Sequence, residues 1–334
     1  MRDMFEETAE RLLRAHCGPE MLVRAEEGEW QSALWEEIAD NGLALAAAPE
    51  ESGGVGASLG DAFVLVRAAG RHSAPVPLGE AIFANWLLGA CGLDAMTTPL
   101  SVGLTDDGRT VADVPWGRSV SHVVTVAEGQ ILLFSTAGAQ IVPSLNIARE
   151  PRDTLTFFSA PVASAALPAG LPDDILFLGG AMIRAAQSAG ALQSILASAI
   201  DYAAQRVQFG KPISKFQAIQ HQMAILAEHA AMTGASAELA FASPAPAFLP
   251  IASAKVVAAE AAGAGAAIAH AVFGAIGFTY EHSLHCATRR LWSWRSEFGS
   301  QSFWARRLGD AACAAGADAY WPGITRGAFG PQQS

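Results

Sequence analysis

Apolar side chains recur every three or four residues in two stretches near the middle of the chain, over 192–202 and over 216–226. This is the period of an α-helix that buries one face. Gly210 and Pro212 lie between the two stretches, and both residue types end helices and favour turns. The pattern therefore predicts two amphipathic helices joined by a tight turn.

Two polar residues fall on the apolar faces of these predicted helices. Arg206 continues the first stripe, and Gln220 lies within the second. An unpaired polar group in a buried position costs about 1 to 3 kcal/mol, so both side chains need partners. One interpretation is that another chain or a ligand supplies them. The alternative is that Arg206 reaches the surface along its aliphatic stem and that Gln220 caps a loop.

The remaining pattern divides the chain into helical and β regions. Residues 4–92 show helical spacing, whereas residues 99–172 alternate apolar and polar positions between turn sequences. The alternating region predicts short strands at 102–104, 120–126, 130–134 and 155–158. From residue 173 the spacing is helical again, in four long segments at 175–208, 214–242, 248–273 and 281–316.

This division predicts a mainly α fold with a small central β domain. The expected units are an N-terminal helical domain at 1–95, a reduced β domain at 96–172 and a C-terminal four-helix bundle at 173–334. Helix faces rich in alanine, as in 259–271, allow neighbouring helices or subunits to approach closely. We therefore expect an oligomer.

Charge and composition exclude several classes of function. The chain has 334 residues, 51% of them hydrophobic, and a net charge of -11, which argues against nucleic acid or an anionic membrane as the main partner. The apolar tract 252–278 consists mostly of alanine and glycine and contains charged residues, so it predicts a buried helix and not a membrane span. The N-terminus lacks the basic start and apolar core of a signal peptide.

Cysteine usage indicates a reducing compartment. The four cysteines are far apart in sequence and show no C-x-x-C spacing, so neither disulfides nor a zinc site is predicted. His282, His285 and Cys286 lie close together, but the sequence offers no second cluster of ligands to complete a metal site. We expect a cytoplasmic protein without a bound metal.

Three stretches of this sequence resemble one known family. They are R-x-Q-F-G-K-P-I-x-x-F-Q-x-I-Q beginning at Arg206, LWEEIADNGLALAAAPEESGGVGASLGD at 34–61, and AVFGAIGFTYEHSLHCATRR at 271–290. Their order and spacing are similar to those of the acyl-CoA dehydrogenases, flavoenzymes that remove two hydrogens from the α and β carbons of an acyl-CoA thioester. The resemblance implies the fold of that family and an acyl-CoA substrate.

The resemblance also implies a flavin adenine dinucleotide (FAD) cofactor and the residues that contact it. In the family, an arginine of this motif reaches the pyrophosphate of a FAD bound mainly by a neighbouring subunit, and a glycine-rich turn adds main-chain contacts. Arginine is well suited to phosphate because its contacts are charge-assisted. Carried over to this chain, the cofactor-binding residues are Arg206, Phe209, Gln217, Gln220, Gly274, Ala275, Ser300 and Gln301.

The catalytic base of the family is missing from its usual positions. A base that removes the α proton is a glutamate held in a dry pocket. The two positions that carry it in the family read Phe298 and Gly180 in this sequence. Glu297 is adjacent to the first position and is the candidate catalytic residue, whereas Glu260 and Glu281 are better suited to ion pairs or helix caps.

Length and the missing base narrow the resemblance to one subgroup. The chain is similar to the smaller subunit of heterotetrameric (α2β2) acyl-CoA dehydrogenases of steroid side-chain degradation. The resemblance implies a homologous partner chain that supplies the base, and an electron-transfer flavoprotein as electron acceptor. Two alternatives remain open, namely a homo-oligomeric acyl-CoA dehydrogenase that uses Glu297 and a non-enzymatic scaffold without flavin.

Overall fold

The computed structural model describes residues 1–279 and 281–326. Its N-terminal region is helical, as predicted. The five helices of this region are α1 (Arg2–His16), α2 (Pro19–Glu26), α3 (Ser32–Asp40), α4 (Leu59–Arg71) and α5 (Leu78–Ala90). Ser58 caps α4, since its side chain accepts from the backbone N–H of Asp61 while the Asp61 side chain accepts from that of Ser58.

The β region forms two four-stranded sheets. Its strands are β1 (Leu100–Val102), β2 (Leu104–Thr105), β3 (Thr110–Pro115), β4 (His122–Ala127), β5 (Gln130–Ser135), β6 (Gln140–Val142), β7 (Arg152–Thr156) and β8 (Ala163–Ala166). One sheet has the order β1-β4-β5-β8 and the other has the order β2-β3-β7-β6. The strand pattern found both central strands of the first sheet, β4 and β5, and one central strand of the second, β7, but it missed β3, β6 and β8.

The C-terminal region is a helical bundle around one long helix. Its elements are α6 (Ile175–Gln205), β9 (Val207–Gln208), β10 (Lys211–Pro212), α7 (Gln217–Phe241), α8 (Phe248–Phe273), α9 (Leu284–Trp294), α10 (Gln301–Ala315) and α11 (Ala317–Arg326). α6 contacts α4, α7, α8 and α9. The mainly α fold with a central β region is therefore confirmed.

The prediction of one continuous helix over 281–316 is wrong, because the segment contains two helices, α9 and α10. The chain leaves the helical conformation after α9 and resumes it in α10, because Phe298 and Gly299 adopt positive φ angles of 52° and 95°. Ser300 then caps α10, with its hydroxyl oxygen accepting from the backbone N–H of Phe303. We call residues 295–300 the α9–α10 turn.

The hydrophobic core extends across the boundaries of the three predicted units. One cluster of buried residues contains side chains from the N-terminal helices, from sheet β1-β4-β5-β8 and from α6 and α8. Phe63, Val124 and Met182 are examples, one from each region. The boundaries 1–95, 96–172 and 173–334 remain predictions about domains, but the packing across them is continuous.

Among the residues that the structure describes, two helices are long and apolar enough to cross a membrane by length and composition, Ile175–Gln205 and Phe248–Phe278. In the first, 94% of the most apolar window is buried inside the protein, and in the second 56%. Both pack within the bundle, which agrees with the prediction of a buried helix at 252–278.

Candidate functional site

The predicted site residues form two groups at opposite ends of α6. Gly180 lies near the start of this helix and Gln205 is its last residue, 25 positions later. At about 1.5 Å per residue, these positions are about 38 Å apart. We call the group at the C-terminal end the hairpin site (Arg206, Phe209, Gln217, Gln220, Gly274 and Ala275) and the group at the other end the cleft site (Gly180, Glu297, Phe298, Ser300 and Gln301).

The hairpin site is built on a two-residue β-turn. β9 and β10 pair antiparallel, with Gln208 opposite Lys211. Phe209 and Gly210 form the loop between them with φ angles of 52° and 77°, the signs that a type I′ turn requires. Phe209 is consequently 92% exposed, with its ring edge-on to Phe216 at 6.2 Å. An aromatic ring of this exposure is available to a ligand or to another chain.

Arg206 and Gln220 are exposed, so the prediction that they lie on buried faces is wrong. α6 ends at Gln205, and Arg206 is already extended with φ −73° and ψ 115°. Gln220 donates from Nε2 to the carbonyl of Ser214 at 3.0 Å, which is the loop-capping alternative. Gln217 is exposed as well, at the first position of α7.

The hairpin site is positively charged. Arg206, Lys211 and Lys215 are all exposed, and Lys211 places its ammonium 4.5 Å from the centre of the Phe216 ring. Within 1–279 and 281–326, Arg206 makes no ion pair. Its guanidinium is therefore free to bind a phosphate group in charge-assisted, bidentate geometry.

The glycine-rich turn lies beside the hairpin. Tyr202, near the end of α6, stacks on Phe273 at 4.4 Å and donates its hydroxyl proton to the Phe273 carbonyl. Gly274 follows with φ 62° and ψ −142°, a conformation that residues with a side chain rarely adopt. Gly274 and Ala275 are both exposed. The structure thus brings the turn and the Arg206 hairpin to the same end of the bundle.

At the cleft site, the two positions that carry the base in related enzymes lie against each other. A Cβ atom added to Gly180 would lie 2.3 Å from the Phe298 ring. Phe177 approaches Phe298 edge-on at 6.3 Å, and the Arg184 guanidinium lies 5.6 Å from the centre of the same ring. Neither Gly180 nor Phe298 can accept a proton, and the ring fills the space beside the helix.

Glu297 is held by three side chains. Its Oε1 accepts from Arg152 Nε at 3.0 Å and Asn146 Nδ2 at 2.9 Å, and its Oε2 accepts from Arg152 Nη2 at 3.0 Å and Arg184 Nε at 2.6 Å. Burial alone would raise the pKa of Glu297, but the two guanidinium groups outweigh it and lower this pKa well below its usual range. A carboxylate stabilised in this way is a weak base.

Glu297 is the middle of a longer series of buried ion pairs. Arg184 also pairs with Glu80 at 2.8 Å, Arg152 pairs with Glu150 at 2.9 Å, and Glu150 pairs with Arg290 at 3.1 Å. We call this alternating series the charge chain. Its six members are Glu80, Arg184, Glu297, Arg152, Glu150 and Arg290. It runs from α5 through α6 and β7 to α9.

Sequence reasoning missed the charge chain. Its members are separated by up to 217 positions, and no spacing rule relates them. One signal was present, because Glu80 and Arg184 each interrupt an otherwise apolar helical run. Charges at such positions are almost never fully buried unless they are paired.

Lys255 is a further buried cation beside the charge chain. It is 1% exposed and donates to the backbone carbonyl of Trp294, whose indole N–H in turn donates to Glu150 at 3.1 Å. Burial lowers the pKa of Lys255 to about 7, although the negative charge of Glu297 opposes the shift. The end of α9 is therefore fixed on two sides by buried polar contacts.

An open cavity of about 530 Å³ lies above Glu297 and Phe298. It separates β2 and β3 from the α9–α10 turn, and both apolar and charged groups line it. Leu104, Asp113, Leu145, Asn146, Arg152 and Phe177 contribute to its wall. This cavity is the cleft of the cleft site.

The remaining cleft residues have local contacts. The Ser300 hydroxyl accepts the α10 capping bond described above, and Gln301 is half-buried at the first position of that helix. Their predicted contact with phosphates stays a prediction. Glu260 and Glu281 are exposed and lie outside the cleft lining.

The structure adds one residue to the His285–Cys286 pair. A carboxylate oxygen of Glu26, a ring nitrogen of His285 and the Cys286 sulfur lie within 4.8 Å of one another. His282 is not part of this group. Arg289 Nη2 already binds both carboxylate oxygens of Glu26 at 2.6 Å, so the carboxylate has a partner without a metal. The absence of a bound metal remains a prediction.

Comparison with known proteins gives the family of the chain. Residues 2–99 match the acyl-CoA dehydrogenase N-terminal domain, and residues 177–308 match the acyl-CoA dehydrogenase C-terminal domain. Acyl-CoA dehydrogenase IpdE2 of Mycobacterium tuberculosis is 32% identical over 297 residues, which cover 86% of this chain and 90% of the relative.

Solved structures agree. A chain of the Tcur3481–Tcur3483 steroid ACAD superposes with a TM-score of 0.82 at 26% identity, covering 94% of this chain and 99% of the other. A chain of the ChsE4–ChsE5 complex from Mycobacterium tuberculosis gives a TM-score of 0.82 at 20% identity, covering 95% and 98%. With the domain matches and the IpdE2 alignment, these similarities establish that the chain belongs to the acyl-CoA dehydrogenase family.

Proposed function

We propose that this chain is the base-lacking subunit of a FAD-dependent acyl-CoA dehydrogenase that it forms with a homologous partner chain. The observation that supports this most directly is the contact of Phe298 with Gly180. These two residues stand at the positions that carry the base in the family, neither can accept a proton, and the ring fills the space beside the glycine. The neighbouring Glu297 is engaged by Arg152 and Arg184 and is a poor replacement.

The hairpin site supports a role in cofactor binding. Its residues fit a dinucleotide, since Arg206 is an exposed cation without an ion pair among the described residues and Phe209 offers an exposed ring. Arg206 would bind the pyrophosphate, and Phe209, Gln217 and Gln220 would lie near the adenine. Gly274 and Ala275 would offer main-chain groups. The bound flavin would supply the acceptor for the hydride that leaves the β carbon.

The separation of the two sites favours a cofactor shared between chains. A distance of about 38 Å along α6 exceeds the reach of one dinucleotide, so the hairpin site and the cleft site cannot serve the same FAD. We infer that the hairpin site completes the FAD site of the partner, whose own cleft provides the glutamate and binds the acyl group. The partner's cleft, rather than that of this chain, is then the place of reaction.

The relatives suggest the class of partner and substrate. The similar structures are a complex of two chains, ChsE4 and ChsE5, and a steroid ACAD that also carries two names, Tcur3481 and Tcur3483. By analogy, we propose a heterotetramer that oxidises the acyl-CoA thioester of a steroid side chain in the cytoplasm and passes electrons to an electron-transfer flavoprotein.

The test is to purify this chain alone and co-expressed with a homologous acyl-CoA dehydrogenase chain from the same organism that carries the glutamate. We expect the complex to contain one FAD for every two chains and to oxidise acyl-CoA, and the isolated chain to be inactive. Glu297→Gln in the complex should change the rate by no more than a few-fold, because the amide keeps the shape and loses only basicity.

Two results would contradict the proposal. Turnover by the isolated chain that disappears in Glu297→Gln would establish the homo-oligomeric enzyme with Glu297 as its base. A complex that contains no flavin under any condition would establish the scaffold. Flavin content and turnover, measured on the same preparations, distinguish these outcomes.

A further inference from the structure

The α9–α10 turn holds Phe298 in a conformation that its backbone does not favour. Phe298 has φ 52°, in the left-handed region that a large side chain rarely occupies. The carbonyl of Phe298 accepts from Trp304 Nε1 at 2.9 Å, and the N–H of Glu297 donates to the Ser293 carbonyl at 3.3 Å. These hydrogen bonds hold the backbone of the turn, but neither fixes the direction of the Phe298 ring.

The side chain of Glu297 supplies the stronger restraint on this turn. It binds Arg152 on β7 and Arg184 on α6, so one carboxylate connects the turn to the β region and to the central helix. Arg184 also lies 5.6 Å from the centre of the Phe298 ring. Both arginines are less than a tenth exposed and are themselves paired, with Glu150 and Glu80. Their positions are thus fixed independently of the turn.

The Phe298 ring lies between Gly180, Phe177 and the Arg184 guanidinium, at the wall of the cleft. Gly180 leaves room for the ring, and the preceding Gly179 leaves room for Phe83, whose ring would lie 2.1 Å from a Cβ atom at that position. Phe177 closes a third side. Because Phe298 also lines the cleft, removing its ring would leave a void beside Gly180 that adjoins the cleft.

We propose that Glu297 is a positioning residue that holds Phe298 over Gly180, through Arg152 and Arg184, and so closes the part of the cleft beside Gly180 to an acyl group. The inference rests on the proposed function in one respect, namely that this chain does not itself bind substrate. It assigns to Glu297 a charge-dependent structural task in place of proton abstraction. In this proposal the Phe298 ring, which we call the plug, fills the space beside Gly180, and the Glu297 carboxylate determines the position of the ring.

The proposal predicts binding that the wild-type chain lacks. The probe is octanoyl-pantetheine, which carries an acyl thioester without a nucleotide, titrated into the full-length chain by calorimetry. Phe298→Ala removes the plug and should lower the apparent Kd at least tenfold relative to the wild type. Glu297→Gln keeps the Phe298 ring but loses the charge at position 297, and it should also lower the apparent Kd. Glu297→Asp keeps the charge and should fall between wild type and Glu297→Gln.

A second measurement reports on the turn itself. Amide hydrogen exchange of residues 295–300 should accelerate at least tenfold in Glu297→Gln, while exchange in the hairpin site stays unchanged. Arg152→Lys offers a milder disruption, since an ammonium cannot reproduce the two contacts that the guanidinium makes with Glu297. Glu260→Gln removes an exposed carboxylate from α8 and serves as the matched control.

Each remaining outcome would overturn the proposal. Equal binding by wild type and Phe298→Ala, including no binding by either, means that the ring does not close the cleft. A second contradicting result is tighter binding by Phe298→Ala while Glu297→Gln and Arg152→Lys show neither tighter binding nor faster amide exchange. This result would mean that Glu297 does not hold the ring. These results are independent of FAD in the complex, so they cannot be confused with a failure of the shared cofactor site.

Discussion

Gly180 and Phe298 are matched in size, because the glycine leaves the space that the ring fills. Any side chain at position 180 would meet the ring, and a smaller residue at position 298 would leave a void beside Gly180. A glutamate at position 180 would consequently require a smaller residue at position 298.

At the hairpin site, Arg206 should be needed for FAD retention by the complex. Arg206→Ala should weaken FAD binding by about 2 to 5 kcal/mol, because it leaves a bound pyrophosphate without its charged partner. The measurement is the FAD dissociation constant of the purified complex. Arg306→Ala, which removes an exposed arginine from α10, is the control, and an unchanged dissociation constant in Arg206→Ala would refute the assignment.

At the scale of elements, the charge chain joins helices and strands that are distant in sequence. It connects α5, α6, β7 and α9 through side chains that are almost entirely buried. Breaking a buried pair by removing one partner costs about 3 to 5 kcal/mol, since an uncompensated charge remains. The three acidic and three basic groups balance, which explains how six charges can lie in one interior.

The charge chain should make the protein sensitive to acid. Burial opposes ionisation of Glu150 and Glu297, yet the neighbouring arginines outweigh it and lower both pKa values below the ordinary 4.5. A lowered carboxyl pKa in the folded state contributes stability above the unfolded pKa, and this stability is lost as the pH falls through the folded value. We expect the free energy of unfolding to decrease steeply below about pH 4.5, measured by urea titration.

A variant identifies the groups responsible for this acid sensitivity. The double variant Glu297→Gln/Arg152→Met replaces both partners of one ion pair. Its free energy of unfolding should decrease less steeply as the pH falls (the acid limb of the stability curve), because it has no carboxylate to protonate at position 297. Glu260→Gln should leave the limb as in the wild type. An acid limb of unchanged slope in the double variant would show that other carboxylates cause it.

Helical periodicity and motif spacing predicted most elements, and the reasons for the failures are local. Phe298 interrupts the predicted helical segment 281–316 by adopting a positive φ, which a glycine or asparagine would have indicated and a phenylalanine does not. Arg206 was placed on a buried face because the stripe was extended one residue past the end of α6. The hairpin site could be assembled from two short sequence motifs, whereas the contacts of Glu297 come from residues up to 151 positions away.

At the scale of the whole molecule, the shared core predicts one cooperative unit. The largest cluster of buried side chains includes residues from all three predicted domains, and the charge chain crosses the same boundaries. Elements that share a core and buried ion pairs lose them together on unfolding. The β region is therefore not expected to unfold separately from the helices.

Calorimetry tests this expectation on the full-length chain. A single heat-absorption peak should appear, with a calorimetric enthalpy close to the van't Hoff enthalpy. Far-ultraviolet circular dichroism at the helix signal should follow the same curve as the fluorescence of Trp116, a buried residue of the β region, measured in a variant that retains only this tryptophan. Two separated transitions would show that the β region is an independent domain.

The length of α6 has a consequence for how such a chain can change over time. A single residue inserted into an α-helix rotates everything beyond it by about 100° and advances it by about 1.5 Å. Within these 31 residues, an insertion would turn the hairpin away from the face that Gly180 and Arg184 define. Point substitutions within α6 keep this spacing, whereas insertions and deletions between positions 180 and 205 should be eliminated by selection.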